Sequence, residues 1–181
     1  MFQLLGTQGI GSNAPYGFDA GDLNSDGRID AAFQDDGLDR YRLNEGTDVL
    51  GRAIWGPLKV FEHAGGNDPG FGHKVRIADL DADGWNEVLI CDYDIEFPGC
   101  NRRLHIYHNL ADGADVTLRE EAELDNGAPG PGWKGVVGMT AADMRGTMDV
   151  AVADFDEDGD NDMLVANCAG TSFWENRTVV D

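Results

Sequence analysis

Positive charge is what this sequence has least of. Its 13 Lys and Arg face 34 Asp and Glu, a formal net charge of −21 across 181 residues. That imbalance argues against nucleic acid or an anionic membrane surface as partner, and it suits a chain that binds cations. Long apolar runs are missing too, so the sequence predicts no membrane span, which needs about 18 consecutive apolar residues or more. The opening MFQLLGTQGIGSN has no basic start and no long apolar segment, and so reads as lacking a signal peptide. Serine is scarce, and no G-x-S-x-G setting for a nucleophile occurs. Proline is present at only 6 positions, but glycine at 25, so many turns and few helices are expected. Hydrophobic residues reach 41%, enough for one domain with a real core despite the charge.

What the chain does have is a repeat. Residues 22–30 read DLNSDGRID, residues 79–87 read DLDADGWNE, and residues 154–162 read DFDEDGDND. A short strand-like segment precedes each, at 17–21, 74–78 and 148–153, and an apolar run follows each: AAF, VLI and MLVA. Further on, each unit carries an apolar or aromatic segment ending in Asn, namely Asn44, Asn109 and Asn176. From the acid at the ninth loop position to that Asn is 14 residues in units one and three but 22 in unit two. The extra length lies around CDYDIEFPGC, with Cys91 and Cys100 at its ends. A second enlargement, at 126–146, begins Gly- and Pro-rich and reads as an irregular surface loop.

A fourth strand-like segment completes the units at 53–63 and 117–124, and Met1 to Leu5 lie at the matching distance before Asp22. The expected fold is therefore all-β: a single repeat domain over 1–181, with units at about 6–63, 64–125 and 133–181 and an orphan fourth strand at 1–5. Four antiparallel strands per unit suggest propeller blades, and sharing a blade between first and last segments is how a propeller ring closes. Three blades are fewer than the usual four to eight. The chain is thus expected to be part of a larger propeller, or half of a ring made by two copies.

The loops carry the chemistry. A hard cation such as Ca²⁺ takes six to eight oxygens, and a glycine at position six allows the sharp turn around it. Positions one, three, five and nine supply side chains: Asp22, Asn24, Asp26 and Asp30; Asp79, Asp81, Asp83 and Glu87; Asp154, Asp156, Asp158 and Asp162. Position seven is Arg28, Trp85 or Asp160, three residues alike only in offering a backbone carbonyl. About three Ca²⁺ ions are expected, with loop one the weaker site because Asn24 replaces a carboxylate. Acidic turns also arise for local reasons, but nothing in a turn requires four acids that repel one another. An EF-hand or dockerin loop would need a twelfth ligand and a following helix, whereas position twelve is Phe33, Ile90 or Val165.

The pattern DxDxDGxx[DE] followed by an apolar strand resembles the FG-GAP and VCBS repeats of integrin-alpha-like β-propellers. GFGHKVRIADLDADG at 70–84 is the best match, and GTMDVAVADFDEDGDNDMLVAN at 146–167 is similar to related repeats of bacterial secreted proteins. No unit has a clear Gly-Ala-Pro, and unit one reads YGF where FG is expected. The resemblance implies structural calcium in rim loops, no open catalytic position and a location outside the cytosol.

Cys91 and Cys100, facing at the base of a hairpin, form either a disulfide or two free thiols, with Cys168 left over. An oxidising compartment would suit both a disulfide and abundant calcium. His105 and His108 fall at odd spacing on one strand and face opposite sides, which argues against a shared zinc site. Asn176 begins a glycosylation sequon, but its match to Asn44 and Asn109 explains it by the repeat. Tyr41, Tyr107 and Trp174 sit at related positions and read as packing between blades. The function expected is a non-enzymatic, extracellular or periplasmic binding or adhesion module with an unknown protein or glycan ligand. The alternatives are a lectin-like carbohydrate-binding propeller and a non-catalytic part of a polysaccharide-degrading enzyme.

Overall fold

Short runs rich in Val, Ile, Leu and Phe, bounded by Gly, Asn and Asp, become strands throughout, because β-branched and aromatic side chains suit a pleated, packed surface. The computed structural model describes residues 15–63, 72–92, 104–113, 115–120, 146–168 and 170–176, and no helix occurs among them. The strands form antiparallel meanders. In the first sheet, β1 (Gly17–Gly21), β2 (Asp30–Gln34), β3 (Arg40–Arg42) and β6 (Lys59–Val60) lie side by side in that order. A separate hairpin, β4 (Asn44–Thr47) and β5 (Ala53–Trp55), interrupts it between β3 and β6. In the second sheet, β7 (Gly72–Ala78), β8 (Glu87–Asp92), β9 (Leu104–Asn109) and β10 (Leu118–Glu120) are adjacent in chain order. The third holds β11 (Thr147–Ala153), β12 (Asp162–Asn167) and β13 (Gly170–Trp174).

The expected fourth segment of unit one, 53–63, therefore divides: its first part joins the β4–β5 hairpin, and Lys59–Val60 alone completes the sheet. The orphan strand at 1–5, the loop carrying Cys100 and most of the 126–146 segment lie outside the described residues.

Register repeats from unit to unit. Phe18 opposes Phe33, Val75 opposes Ile90 and Val150 opposes Val165. Because successive side chains alternate in direction, this common register gives each sheet the same two faces. Those faces meet in two cores. Val88, Ile90 and Tyr107 of the second sheet pack with Leu23, Ala32 and Tyr41 of the first unit. On the other side, Leu89, Cys91, Leu104 and Ile106 pack with Val150, Met163 and Val165 of the third. Glu87–Cys91 is consequently buried along its whole length, which is why that segment reads as continuously apolar after the acid.

The first strands of successive sheets are neighbours: β1 lies against β7, and β7 against β11. The approach is close. A Cβ on Gly17 would come within 2.9 Å of the His73 carbonyl oxygen, so only glycine fits there. The Ile77 N–H donates across this seam to Asp19 Oδ2 at 3.0 Å, and Arg76 pairs with Asp149 at 2.9 Å across the next.

The cysteine expectation is corrected. Cys91 is a buried thiol in the core between sheets two and three, while Cys168 is the cysteine that carries a disulfide. Cys91 faces inward with Leu89 because it lies two residues further along β8, and that direction takes it into the apolar core.

Replacing Leu89 by Ala should cost about 2–5 kcal/mol, since it opens a cavity between two packed sheets. Urea unfolding should show a lower midpoint with an unchanged slope.

Candidate metal centre

Each repeat loop is a curled backbone tied by its own carboxylates. Position four is left-handed in all three: Ser25 (φ 52°), Ala82 (φ 57°) and Glu157 (φ 65°). So is the glycine at position six, Gly27, Gly84 or Gly159. Residues other than glycine pay roughly 1–2 kcal/mol for that conformation, so three occurrences at one position require compensation. Hydrogen bonds supply part of it. The position-six N–H donates to the position-one carboxylate: Gly27 to Asp22 at 2.7 Å, Gly84 to Asp79 at 2.9 Å and Gly159 to Asp154 at 3.1 Å. The position-seven N–H of Arg28, Trp85 and Asp160 donates to Asp26, Asp83 and Asp158.

Position nine is the tie between loop and sheet. One oxygen of Asp30 accepts from the Leu23 N–H at 2.8 Å and the other from the Asn44 N–H at 2.7 Å. Glu87 holds Leu80 and Asn109 in the same way, at 2.8 and 3.3 Å, and Asp162 holds Phe155 and Asn176, at 3.0 and 2.8 Å. All three carboxyl groups are buried. From the sequence, position nine is expected to be a metal ligand; its work in closing the hairpin emerges only from these bonds.

The loops also lock to one another. Asn109 Nδ2 donates to the Leu23 carbonyl of loop one at 2.8 Å and to the Asn86 carbonyl of its own loop at 3.0 Å. Asn176 Nδ2 does the same with Leu80 of loop two and Asn161 of loop three. Asn86 and Asn161, at position eight, donate to the Asp22 and Asp79 carbonyls at 2.7 and 2.8 Å. Unit one holds Ile29 at position eight, and among the described residues Asn44 Nδ2 donates to the Ile29 carbonyl alone, at 3.3 Å. The recurring terminal Asn was visible in the sequence, and the position-eight Asn of units two and three was an available signal that went unread.

The carboxylates converge most clearly in two of the three loops. Asp79, Asp81 and Glu87 each bring an oxygen within 4.8 Å of the others, and so do Asp154, Asp156 and Asp162. Loop one differs. Arg28 turns its guanidinium onto Asp26, and Asn24 Nδ2 donates to the same carboxylate at 2.8 Å. An internal cation thus already offsets part of the charge there. In loop two, His108 Nδ1 stands 3.4 Å from Glu87 and 3.8 Å from Asp81. Burial pushes the carboxyls of Asp30, Asp81 and Glu87 above their usual range, and for Asp81 the neighbouring Asp83 adds to it. Asp156 is raised in the same direction, by desolvation and by Asp158.

A hard cation fits this arrangement. The convergent side-chain donors are all carboxylate oxygens, which suit a hard cation better than a thiophilic metal. Asp79 Oδ1 and Asn24 Oδ1 are buried and accept no hydrogen bond among the described residues, although each belongs to a predicted ligand. Buried acceptors of this kind are costly unless something binds them. Asp83 and Asp158 stand at position five beside these groups, with Asp83 close enough to Asp81 to raise it.

No family model matches the chain, and no curated protein matches it in sequence.

Asn176→Ala should destabilise the protein more than Asn44→Ala, because it orphans carbonyls in two loops and Asn44 serves one. A loss of about 1–3 kcal/mol is expected for Asn176→Ala, measured by denaturant unfolding.

Proposed function

We propose that this chain is a calcium-stapled repeat module of the FG-GAP/VCBS type, its sheets being propeller blades, with a non-enzymatic binding or adhesion role outside the cytosol. The observation that carries the reading is the threefold recurrence of one loop geometry, with left-handed positions four and six in every loop, together with carboxylate oxygens that converge in loops two and three. Asp22, Asn24, Asp26 and Asp30 would hold an ion in loop one, Asp79, Asp81, Asp83 and Glu87 in loop two, and Asp154, Asp156, Asp158 and Asp162 in loop three. The carbonyls of Arg28, Trp85 and Asp160 would complete each set. Calcium supplies positive charge that offsets the crowding of carboxylates and secures the turn; every ligand is also a structural tie, so the role is stability. Calcium is preferred to magnesium because a flexible all-protein oxygen cage suits the larger ion. The disulfide at Cys168 supports an oxidising compartment.

An exposed apolar face on the third unit supports a place for a partner. Unit two buries Leu80, Leu89 and Ile106 completely against unit three. Unit three presents Phe155, Leu164 and Phe173 at the same repeat positions, and these are 48%, 39% and 51% exposed. The two phenyl rings meet edge to face at 5.8 Å. At the opposite end, unit one exposes Phe18 (75%) and Ile29 (55%) on the face that units two and three use to join the preceding unit. The occupant that fits is a unit of the same kind, and we assign it to a second copy. Two chains joined reciprocally would make six blades, within the usual propeller range. The carbohydrate-binding reading draws no support from the hollow of about 510 Å³ beside loop one, lined by Asn24, Asp26, Arg28, Asn44, Lys59 and Asp115 among others, since no aromatic ring lines it.

Removing calcium with EDTA should lower the melting temperature, and restoring it should reverse the change; at 100-fold excess over Kd one site adds about 2.7 kcal/mol. The pH dependence has a definite sign. Raised carboxyl pKa values in the metal-free fold mean that it binds more protons than the unfolded chain. Metal-free stability is then greatest below the ordinary carboxylate range and falls as pH rises from about 4 towards 7. With calcium the trend should invert, because protons compete with the ion. An unchanged melt in EDTA, with no calcium in the purified protein, would sink the proposal.

Sedimentation should give twice the 19.6 kDa chain mass, and Phe173→Glu should return it to the single-chain value. A wild-type monomer at all concentrations tested would rule out the second copy.

A further inference from the structure

A second cluster of ligating side chains lies away from the repeat loops. His63, His105 and Glu120 bring two imidazole nitrogens and a carboxylate oxygen within 4.8 Å of one another. His105 Nδ1 is 2.8 Å from Glu120 Oε1, and His63 Nε2 is 3.3 Å from Glu120 Oε2. The two rings are 5.1 Å apart between centroids. Glu120 and His105 are buried and His63 nearly so.

Three separate segments build this cluster. His105 comes from β9 and Glu120 from β10, which pair so that Glu120 opposes Tyr107. His63 arrives from unit one. The chain beyond β6 runs parallel to β10 and is held there by Glu62 N–H to the Leu118 carbonyl and by Glu120 N–H to the Glu62 carbonyl, at 2.9 and 2.8 Å. Arg119 Nε donates to Glu62 Oε2 at 2.6 Å and clamps the same join from outside. Beneath lies an aromatic floor, with Phe61 stacked on Tyr107 at 4.5 Å and His105 on Tyr107 at 6.1 Å.

We propose that His63 Nε2, His105 Nδ1 and the Glu120 carboxylate form a site for a divalent transition metal of the zinc class. The donor set is the first argument. Two nitrogens and one oxygen are borderline ligands that suit zinc, unlike the oxygen-only loops. Spacing is the second. Bonds of about 2.0–2.1 Å in a tetrahedral site place ligand atoms roughly 3.3–3.4 Å apart. His63 Nε2 already stands at this distance from Glu120 Oε2, His105 Nδ1 stands 2.8 Å from Oε1, and one atom from each residue lies within 4.8 Å of the other two, so a small opening would admit the ion. Burial is the third. Glu120 is 2% exposed and His105 5%, so bulk water competes little for the ligand atoms. Water completes the fourth position. Zinc here would fasten unit one's last segment to the outer strand of unit two, a join that no calcium loop touches.

The test is a zinc titration of the EDTA-treated chain in excess calcium, with Co²⁺ as a spectroscopic substitute. One tight equivalent of zinc and the intense visible absorption of tetrahedral cobalt are expected. His63→Gln and Glu120→Gln should each weaken zinc at least about tenfold. Asp79→Asn and Asp154→Asn should leave zinc unchanged while reducing the effect of calcium on melting. That contrast separates failure of this site from failure of the calcium loops. Absence of a tight zinc equivalent in the wild-type chain would overturn the proposal, as would zinc binding that survives His63→Gln but is lost with the loop variants.

Discussion

A carboxylate that accepts two backbone N–H groups, one from the start of its own loop and one from the end of the unit, is the knot from which each repeat is tied. Asp30, Glu87 and Asp162 all make this pair of bonds. The bond to position two closes the loop, and the bond to the terminal Asn fixes where the third strand ends. In units two and three that Asn, once placed, aims its side-chain amide at the preceding loop. Loop shape, strand length and contact between units therefore follow from one buried acid. Its burial also raises the proton affinity of Asp30 and Glu87, so the tie and that raised affinity have a common origin.

Stacking the sheets by identical faces has two consequences. The middle sheet is covered on both sides, so β8 carries apolar residues on both faces, and even a cysteine is drawn inward. The end units cannot be covered in the same way by the units described, and the repeat leaves Phe155, Leu164 and Phe173 exposed where its neighbour has buried leucines and isoleucine. The unit-to-unit contact is thus a heterologous one that does not terminate itself, and its complement would be the opposite face of a further unit of the same kind.

The chain's large negative charge is handled locally in more than one manner. Loop one turns Arg28 onto its own carboxylate, loop two has His108 at its edge, and loop three has only backbone donors at its carboxylates among the bonds described. The His63–Glu120–His105 group adds an arrangement with nitrogen in it. On the two proposals made above, the carboxylate loops and the mixed donor set would favour different cations.

By itself, the sequence determined the repeat, the all-β character and the residues of each loop. These were legible because a loop's acidic residues fall within nine consecutive positions and a strand's pattern within five or six, so neighbours in the chain are neighbours in space. Tertiary structure alone decided the rest. The Asn109 side chain meets a carbonyl 86 residues away, and His63 reaches His105 only because the end of unit one runs alongside β10. The nearby pair His105 and His108 was the one that spacing invited for comparison, yet the two diverge to Glu120 and Glu87. Cys91 looked like the base of a bridged hairpin and became core, because side-chain direction on a strand is set by register and by what the next sheet brings against it. Local chemistry is written along the chain, whereas partners chosen by the stacking of sheets are not, since the stacking is settled only when the faces of all three units are buried together.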